Sequence, residues 1–255
     1  SGKEITWVEQ SKQLGTGHAV EQALSLIEVD SLVLILYGDV PLLKTSSLKR
    51  LVASATKTGF AVLTADMPDP RGYGRIIRGG PEFIERIVEE KDASDAEAEI
   101  TEVSTGIMAV NARCLKSCIA RLENNNGQGE YYLTDCIELA VADGINVINV
   151  SLSDSDEAMG VNDRRDLARA ERIYQRRAAN DLMDTGVTLV DPTRVDIRGN
   201  VRSGKDVLVD VNVVFGGEVR LGNNVNIGPN NIITDCEISD NVSIFSNCVL
   251  ESASI

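Results

Sequence analysis

Valine recurs every six residues through the last quarter of this 255-residue chain, at Val195, Val201, Val207, Val213, Val219 and Val225. That period belongs neither to an α-helix, whose faces repeat at about 3.6 residues, nor to a lone strand, which alternates. Six-residue repeats mark parallel β-helices, in which each hexad forms one side of a prism and sends its apolar residue inward onto its equivalents in neighbouring coils. A second inward position, two residues later, reads Ile197, Ser203, Val209, Phe215, Leu221 and Ile227, as alternate side chains of a short strand require. The phase then slips by one residue, to Cys236 with Ile238, Val242 with Ile244 and Cys248 with Leu250. Gly222 and Gly228 are expected at corners whose backbone conformation excludes a Cβ, and Asn223, Asn224, Asn230 and Asn231 suit corners as well. Antiparallel hairpins are the competing reading, but their strands vary in length and would not hold one phase for so long.

Before about residue 160 the pattern changes to apolar runs alternating with helical stretches, which predicts an α/β domain with a largely parallel sheet. Strands are expected at 32–37, 60–65, 83–88, 106–110 and 147–150, and helices at 18–26, 46–55, 112–122 and 134–142. Residues 164–183 are polar, lack Gly and Pro, and carry Leu167, Ala170, Ile173, Tyr174, Ala178 and Leu182 at helical spacing. The organisation is therefore an α/β domain over 1–162, a linking helix over 163–185 and a β-helix over 186–255. Six arginines of the link, among them Arg164, Arg169 and Arg177, form a basic flank read as a solvated face near acidic neighbours.

A formal net charge of −14 argues against nucleic acid and anionic membrane as partners, because both demand a basic footprint. No apolar run reaches a membrane-spanning length and no basic, hydrophobic leader is visible, so a cytoplasmic protein is expected. The five cysteines include no Cys-x-x-Cys pair and no zinc-like spacing, and are expected to be buried thiols. His18 is the single histidine, which leaves no basis for a multi-histidine metal site.

The run 34–41 is a buried strand that ends on Gly38-Asp39, and ligands gather at the carboxyl ends of strands in open parallel sheets. A carboxylate there suits Mg²⁺, which uses one or two protein oxygens and leaves other positions to water and phosphates; a plain Asp turn is the other reading. Gly15 and Gly17 in the loop 13–19 let backbone amides approach a ligand, while Thr16 can equally be an N-cap. Residues 70–75 form a glycine-spaced turn leading towards Glu89, open to a sugar site or to a plain hairpin. Thr134 stands at a helix start as a possible cap, and Asn162 offers an amide oxygen on a turn.

Together, Gln-Leu-Gly-Thr-Gly-His-Ala at 13–19, Tyr-Gly-Asp-Val-Pro at 37–41, Gly-Tyr-Gly-Arg-Ile at 72–76 and Gly-Glu-Tyr-Tyr-Leu-Thr-Asp at 129–135, followed by hexads, resemble one family. It is the bifunctional family that is N-acetylglucosamine-1-phosphate uridyltransferase at one end and glucosamine-1-phosphate N-acetyltransferase at the other. The resemblance implies a Rossmann-like nucleotide-diphospho-sugar transferase domain and a left-handed parallel β-helix of hexapeptide repeats that trimerises. It implies uridylyl transfer from UTP to N-acetylglucosamine 1-phosphate, giving UDP-N-acetylglucosamine and pyrophosphate for peptidoglycan and lipopolysaccharide precursors. In the parent protein it also implies acetylation of glucosamine 1-phosphate from acetyl-CoA. By the same likeness Asp39 and Asn162 hold Mg²⁺ and are the catalytic pair. Gln10, Gly15 and Thr16 match positions around uracil and nucleotide, Tyr37 and Gly38 lie beside the metal carboxylate, and Gly74 and Glu89 match positions that hold the amino sugar. Ser104 stands where the family usually has Asn, and its shorter side chain is expected to reach the sugar only through water.

The family's Gly-rich triphosphate loop and its catalytic His of the later coils are not in this chain, and Ser1 is not a natural start. The sequence is therefore expected to be a fragment that transfers uridylyl groups poorly, with an association-prone open edge at its last coil. Two competing readings remain at this stage: another sugar-nucleotide pyrophosphorylase, and a non-catalytic regulatory subunit of the same architecture.

Overall fold

Side-chain alternation along two strands sets the architecture of the first half. Phe60 and Val62 join one hydrophobic cluster with Met108, Val110, Leu115, Cys136 and Ile137. Ala61, Leu63 and Ala65 join the other, with Leu51, Ala55, Ile107 and Ala109. A sheet with apolar residues on both faces needs helices on both faces, and a three-layer α/β arrangement follows. The computed structural model describes residues 5–255 apart from Glu82; Ser1 lies outside the described residues. The chain divides into two compact units, Ser1–Gly160 and Val161–Ile255.

In the first unit the elements run α1 (Thr16–Ala23), β1 (Leu32–Ile35), α2 (Thr45–Thr58), β2 (Phe60–Asp66), β3 (Arg75–Arg78), β4 (Phe83–Val88), α3 (Asp95–Ala98), β5 (Glu102–Asn111), α4 (Ala112–Ile119), α5 (Asp135–Ala142) and β6 (Val147–Ser151). The six strands are ordered β1-β5-β2-β6-β4-β3. The expected largely parallel sheet is corrected here. Of its main pairings only β2–β6 is parallel, while β5 is antiparallel to both β1 and β2, and β4 to both β6 and β3. The cause is β5, a ten-residue strand inserted between β1 and β2, which the crossover helix α2 leaves pointing the same way. Strand–helix alternation reports the crossover and not what is later inserted into it. The turn at 70–75 leads into a hairpin, β3 against β4.

The predicted strand 32–37 ends two residues early, at Ile35. Its partner β5 carries an irregularity, with Gly106 at φ +75° and a register shift opposite Val62/Thr64. Such bulges re-aim the chain at the rim of a sheet, and residues 36–39 leave the ladder as an exposed-edged loop in which Tyr37 alone turns inward.

In the second unit α6 (Arg164–Asp184) comes first, capped by the Asp163 carboxylate, which accepts from the Arg165 and Asp166 amides at 2.7 and 2.9 Å. Ala179 and Leu182 pack into this unit's core, so the helix expected as a separate link over 163–185 belongs physically to the strands that follow it. Buried Gln175 donates to the Ile197 carbonyl at 3.0 Å and accepts from the Ile197 amide at 2.7 Å, satisfying the exposed edge of the first long strand. Arg172 pairs with Asp196 at 3.0 Å, in keeping with a basic flank set against acidic neighbours.

Nine short strands follow: β7 (Thr188–Leu189), β8 (Val195–Ser203), β9 (Leu208–Val209), β10 (Val213–Leu221), β11 (Asn226–Ile227), β12 (Ile232–Thr234), β13 (Glu237–Ile238), β14 (Ser243–Ile244) and β15 (Val249–Glu251). They stack in parallel as a solenoid-like array. Val195 pairs with Val213 and Ile197 with Phe215, an offset of 18 residues; Ile232 pairs with Val249, an offset of 17. The one-residue slip read from the sequence is this change of offset. Val195, Val207, Val213, Val219 and Val225 are buried, with Val201 packed at the edge of the same core.

Two expectations about corners change. Gly222 and Gly228 are not among the residues with positive φ; that conformation falls to Asp206, Asn212, Asn224, Asn230, Asn241 and Asn247, among others. A Cβ on Gly222 would instead sit 2.6 Å from the Asp240 amide nitrogen, so close approach of the next coil excludes a side chain there. Asn231 is not an exposed corner residue but is fully buried: its amide donates to the Gly228 and Phe245 carbonyls and its oxygen accepts from the Cys248 amide. Among the described residues no helix is long and apolar enough to cross a membrane.

Candidate functional site

The site of the first unit is built around Tyr37. Its ring lies against Gly106, where a Cβ would come within 2.3 Å of it, and the positive φ of Gly106 independently excludes other residues. Thr16 is hydrogen-bonded to the Tyr37 side chain, and its hydroxyl accepts from the Leu133 amide at 3.1 Å. Thr16 is therefore not an N-cap: that position is Gly15, at φ +111°. Burial, with the charges of Glu89 and Asp39 adding, holds the Tyr37 hydroxyl above its ordinary range and keeps it a neutral donor.

Gly15 and Gly17 serve a close approach of two loops. A Cβ on Gly15 would lie 2.6 Å from the Tyr131 carbonyl oxygen, and the Gly17 amide donates to that oxygen at 2.8 Å. The Tyr131 amide returns a bond to the Leu14 carbonyl at 2.8 Å. Gln10 fastens the same loop, donating to the Gly15 carbonyl at 3.1 Å and meeting His18 Nδ1 at 3.0 Å. His18 is engaged on both ring nitrogens, by Gln10 and Gln22, which accounts for it without catalysis.

Glu89 ends β4 and accepts from the Thr134 hydroxyl at 2.8 Å, so Thr134 positions a carboxylate and does not cap α5. Burial raises the Glu89 carboxyl above its usual value, with the Asp92 charge adding and the Thr134 bond opposing. A Cβ on Gly74 would be 3.4 Å from Glu89 Oε2, and the Gly74 carbonyl accepts from the Ser104 amide at 2.8 Å. Ser104 is buried, its hydroxyl accepting from the Gly106 amide at 3.1 Å. Beneath them Arg75, 2% exposed, donates to the Ala98 and Tyr73 carbonyls and pairs with Glu90 at 3.8 Å.

The structure thus brings together Thr16, Tyr37, Gly74, Glu89 and Ser104, with Gln10 and Gly15 holding the loop beside them. Gly38 and Asp39 are exposed on the adjoining turn, and among the described residues no hydrogen bond engages the Asp39 carboxylate. Asn162 is exposed at the start of the second unit, just before α6. Sequence reasoning missed the backbone of Tyr131, the anchoring role of Thr134 and the Gly106 platform. Only Gly106 carried a usable signal, as an isolated glycine inside a strand pattern. The segment after Asp39 is also pinned: buried Glu157 accepts from the Lys44 amide at 3.0 Å, and Lys44 Nζ pairs with Asp154 at 3.0 Å.

An α/β sheet whose polar groups converge beyond the ends of β1 and β4 is the geometry of a sugar-nucleotide transferase, and the comparisons agree. Residues 2–186 match the family model described as nucleotidyl transferase, and the chain belongs to that family. It is 54% identical over 226 residues, 89% of its length, to the bifunctional protein GlmU of Nitrosococcus oceani. It is 49% identical over 249 residues, 98% of its length, to the bifunctional protein GlmU of Marinobacter nauticus. The chain covers 50% and 55% of these two proteins, about half the length of the curated relatives it matches. A UDP-glucose pyrophosphorylase solved with UDP-glucose aligns with a TM-score of 0.53 over 68% of this chain and 66% of its own, at 17% identity, a likeness of fold alone.

Proposed function

We propose that this chain carries the uridylyl-transfer site of a bifunctional enzyme, using UTP and N-acetylglucosamine 1-phosphate to give UDP-N-acetylglucosamine and pyrophosphate. The observation that carries the reading is the convergence of four separated sequence motifs on Tyr37 and Glu89. A phosphate oxygen of the sugar phosphate attacks the α-phosphorus of UTP, a new P–O bond forms, and the bond to the β-phosphate breaks to release pyrophosphate. No covalent enzyme intermediate is needed, so positioning and charge neutralisation supply the rate.

Gln10, Gly15 and Thr16 form the uracil and nucleotide side of the site, where the glycines keep backbone groups accessible. Gly74, Glu89 and Ser104 form the sugar side, the carboxylate accepting from sugar hydroxyls while Thr134 fixes its orientation. Tyr37 and Gly38 set the turn that presents Asp39. The donor set fits Mg²⁺: among the described residues no cluster of three or more carboxylates, thiols or imidazoles is arranged to hold a metal, as expected for an ion taken by few protein oxygens plus phosphates. Asp39 and Asn162 are its proposed ligands and the catalytic pair, and the bound ion would screen the phosphates. Without a cation, Asp39, Glu89, Asp92 and Asp135 would repel a triphosphate.

The second unit is read as part of a left-handed β-helix of hexapeptide repeats that supports a homotrimer. The longer protein would acetylate glucosamine 1-phosphate from acetyl-CoA and act in the cytoplasm in peptidoglycan and lipopolysaccharide precursor synthesis. Titration calorimetry of UDP-N-acetylglucosamine with the chain and with Asp39→Ala, each with and without Mg²⁺, tests the transferase reading. Mg²⁺-dependent binding weakened at least about tenfold by the substitution, roughly 1.4 kcal/mol, is expected. Binding that is absent in the unaltered chain, or indifferent to Asp39, would favour a non-catalytic subunit.

A further inference from the structure

Three thiols meet between α4 and α5. Cys114 Sγ lies 3.9 Å from Cys118 Sγ, and Cys118 is also hydrogen-bonded to Cys136. The guanidinium of Arg121 approaches Cys118 Sγ at 3.9 Å and is held there by the Asp143 carboxylate at 3.0 and 2.5 Å. Cys118 and Cys136 are fully buried, whereas Cys114 is half-exposed beside a half-exposed Arg121. Nothing in the transferase reading uses these groups. Among the described residues they are not arranged as a metal site, which leaves thiol redox chemistry. We propose that Cys118 and Cys114 are a peroxide-reactive pair that closes to a disulfide, with Cys118 as the attacking sulfur and Cys114 as the resolving one.

The environment assigns the roles. Two neighbouring thiols and a guanidinium favour the anionic form of Cys118, depressing its pKa, first through the Cys114 hydrogen bond. Cys114 is raised because it donates to that sulfur and because burial and the adjacent charge oppose its ionisation. The thiolate is the nucleophile. Its attack on hydrogen peroxide forms an S–O bond and breaks the O–O bond, giving a Cys118 sulfenic acid and hydroxide. The negative charge is then gone from Cys118, so Cys114 can release its proton to the hydroxide and attack the Cys118 sulfur. The S–O bond breaks, and the departing oxygen leaves as a second hydroxide. In sum, one thiolate, one thiol and one peroxide become one disulfide, one water and one hydroxide. The pair must close by roughly 2 Å to reach bonding distance, which the short eight-residue α4, ending at Ile119, allows at its last turn.

The remaining thiols are internal controls: Cys236 and Cys248 point to the Thr234 and Ser246 carbonyls, with no cation or second thiol recorded beside them. The test treats the reduced chain with hydrogen peroxide, blocks free thiols and maps tryptic peptides. Trypsin cuts after Arg113, Lys116 and Arg121, so the expected product is Cys-Leu-Lys joined to Ser-Cys-Ile-Ala-Arg. In Cys118→Ala, oxidation of Cys114 should slow at least about tenfold. Cys114→Ser should leave a dimedone-reactive sulfenic acid on Cys118. Equal or faster oxidation of Cys236 and Cys248, a bond from Cys118 to Cys136 in place of Cys114, or undiminished oxidation of Cys114 in Cys118→Ala would each overturn the assignment.

Discussion

The two units solve one problem, the pairing of buried strands, in opposite ways. In the second, every paired residue lies 17 or 18 positions along the chain from its partner, so each coil is built on the one before and one rule repeats. In the first, Leu32 pairs with Asn111 and Ala61 with Ile148, and no rule relates the two separations. Repetition gives a rigid array with little room for a unique constellation of polar groups. Irregular, long-range pairing costs legibility but gathers Thr16, Tyr37, Glu89 and Thr134 at one end of a sheet.

The largest test of this contrast is Phe215→Ala. The ring is fully buried in the solenoid core, and its loss should cost about 3–5 kcal/mol. Because coils stabilise their neighbours, amide hydrogen exchange should accelerate through β8, β10 and β12 while β2 and β5 keep their protection. Equal acceleration in both units would show that they do not behave as separate cores. Gly15→Ala probes the other side. It forces a side chain into φ +111° against the Tyr131 carbonyl, an expected loss of about 1–3 kcal/mol, with the Gly17 and Tyr131 amides exchanging faster and the solenoid unaffected.

Asp135→Asn sharpens the electrostatic part. Burial pushes Asp135 up from 3.8 to about 6, with Glu138, Glu89 and Asp92 adding to it, and this outweighs the favourable position in the first turn of a helix. The folded state binds this proton more tightly than the unfolded state. Its destabilising contribution therefore grows from pH 3.8 upward and is complete above about 6. The substitution should stabilise the chain at pH 7 by about 1–2 kcal/mol, allowing for partial exposure, and the gain should vanish in denaturant melts below pH 3.8. The smallest effect belongs to the corners. Asn212, at φ +60°, donates to Asn230 Oδ1 at 2.8 Å; Asn212→Ala should cost about 1 kcal/mol and Asn212→Gly only a few tenths.

What the sequence disclosed follows the same divide. Val195 to Val225 announced stacked coils because a period survives without knowledge of contacts. The direction of β5 could not be read, because strand–helix alternation does not say which strand is inserted between two others. Of the site, Tyr37, Glu89 and Gly74 were found through motifs. Thr16 and Thr134 were found at the right places, but capping was left open, since a threonine at a helix start looks the same whether it bonds its own helix or a distant carboxylate. The thiol cluster was hidden because Cys136 is remote in sequence from Cys114 and Cys118.

The most direct measurement is hydrogen exchange of the chain with Mg²⁺ and, separately, UDP-N-acetylglucosamine, ADP-glucose or GDP-mannose. Protection by UDP-N-acetylglucosamine ahead of the other two, concentrated at residues 13–19, 37–41, 72–76 and 129–135, is the result expected from a sugar-nucleotide site built around Tyr37 and Glu89. Stronger protection by either rival, or protection confined to the solenoid, would contradict it.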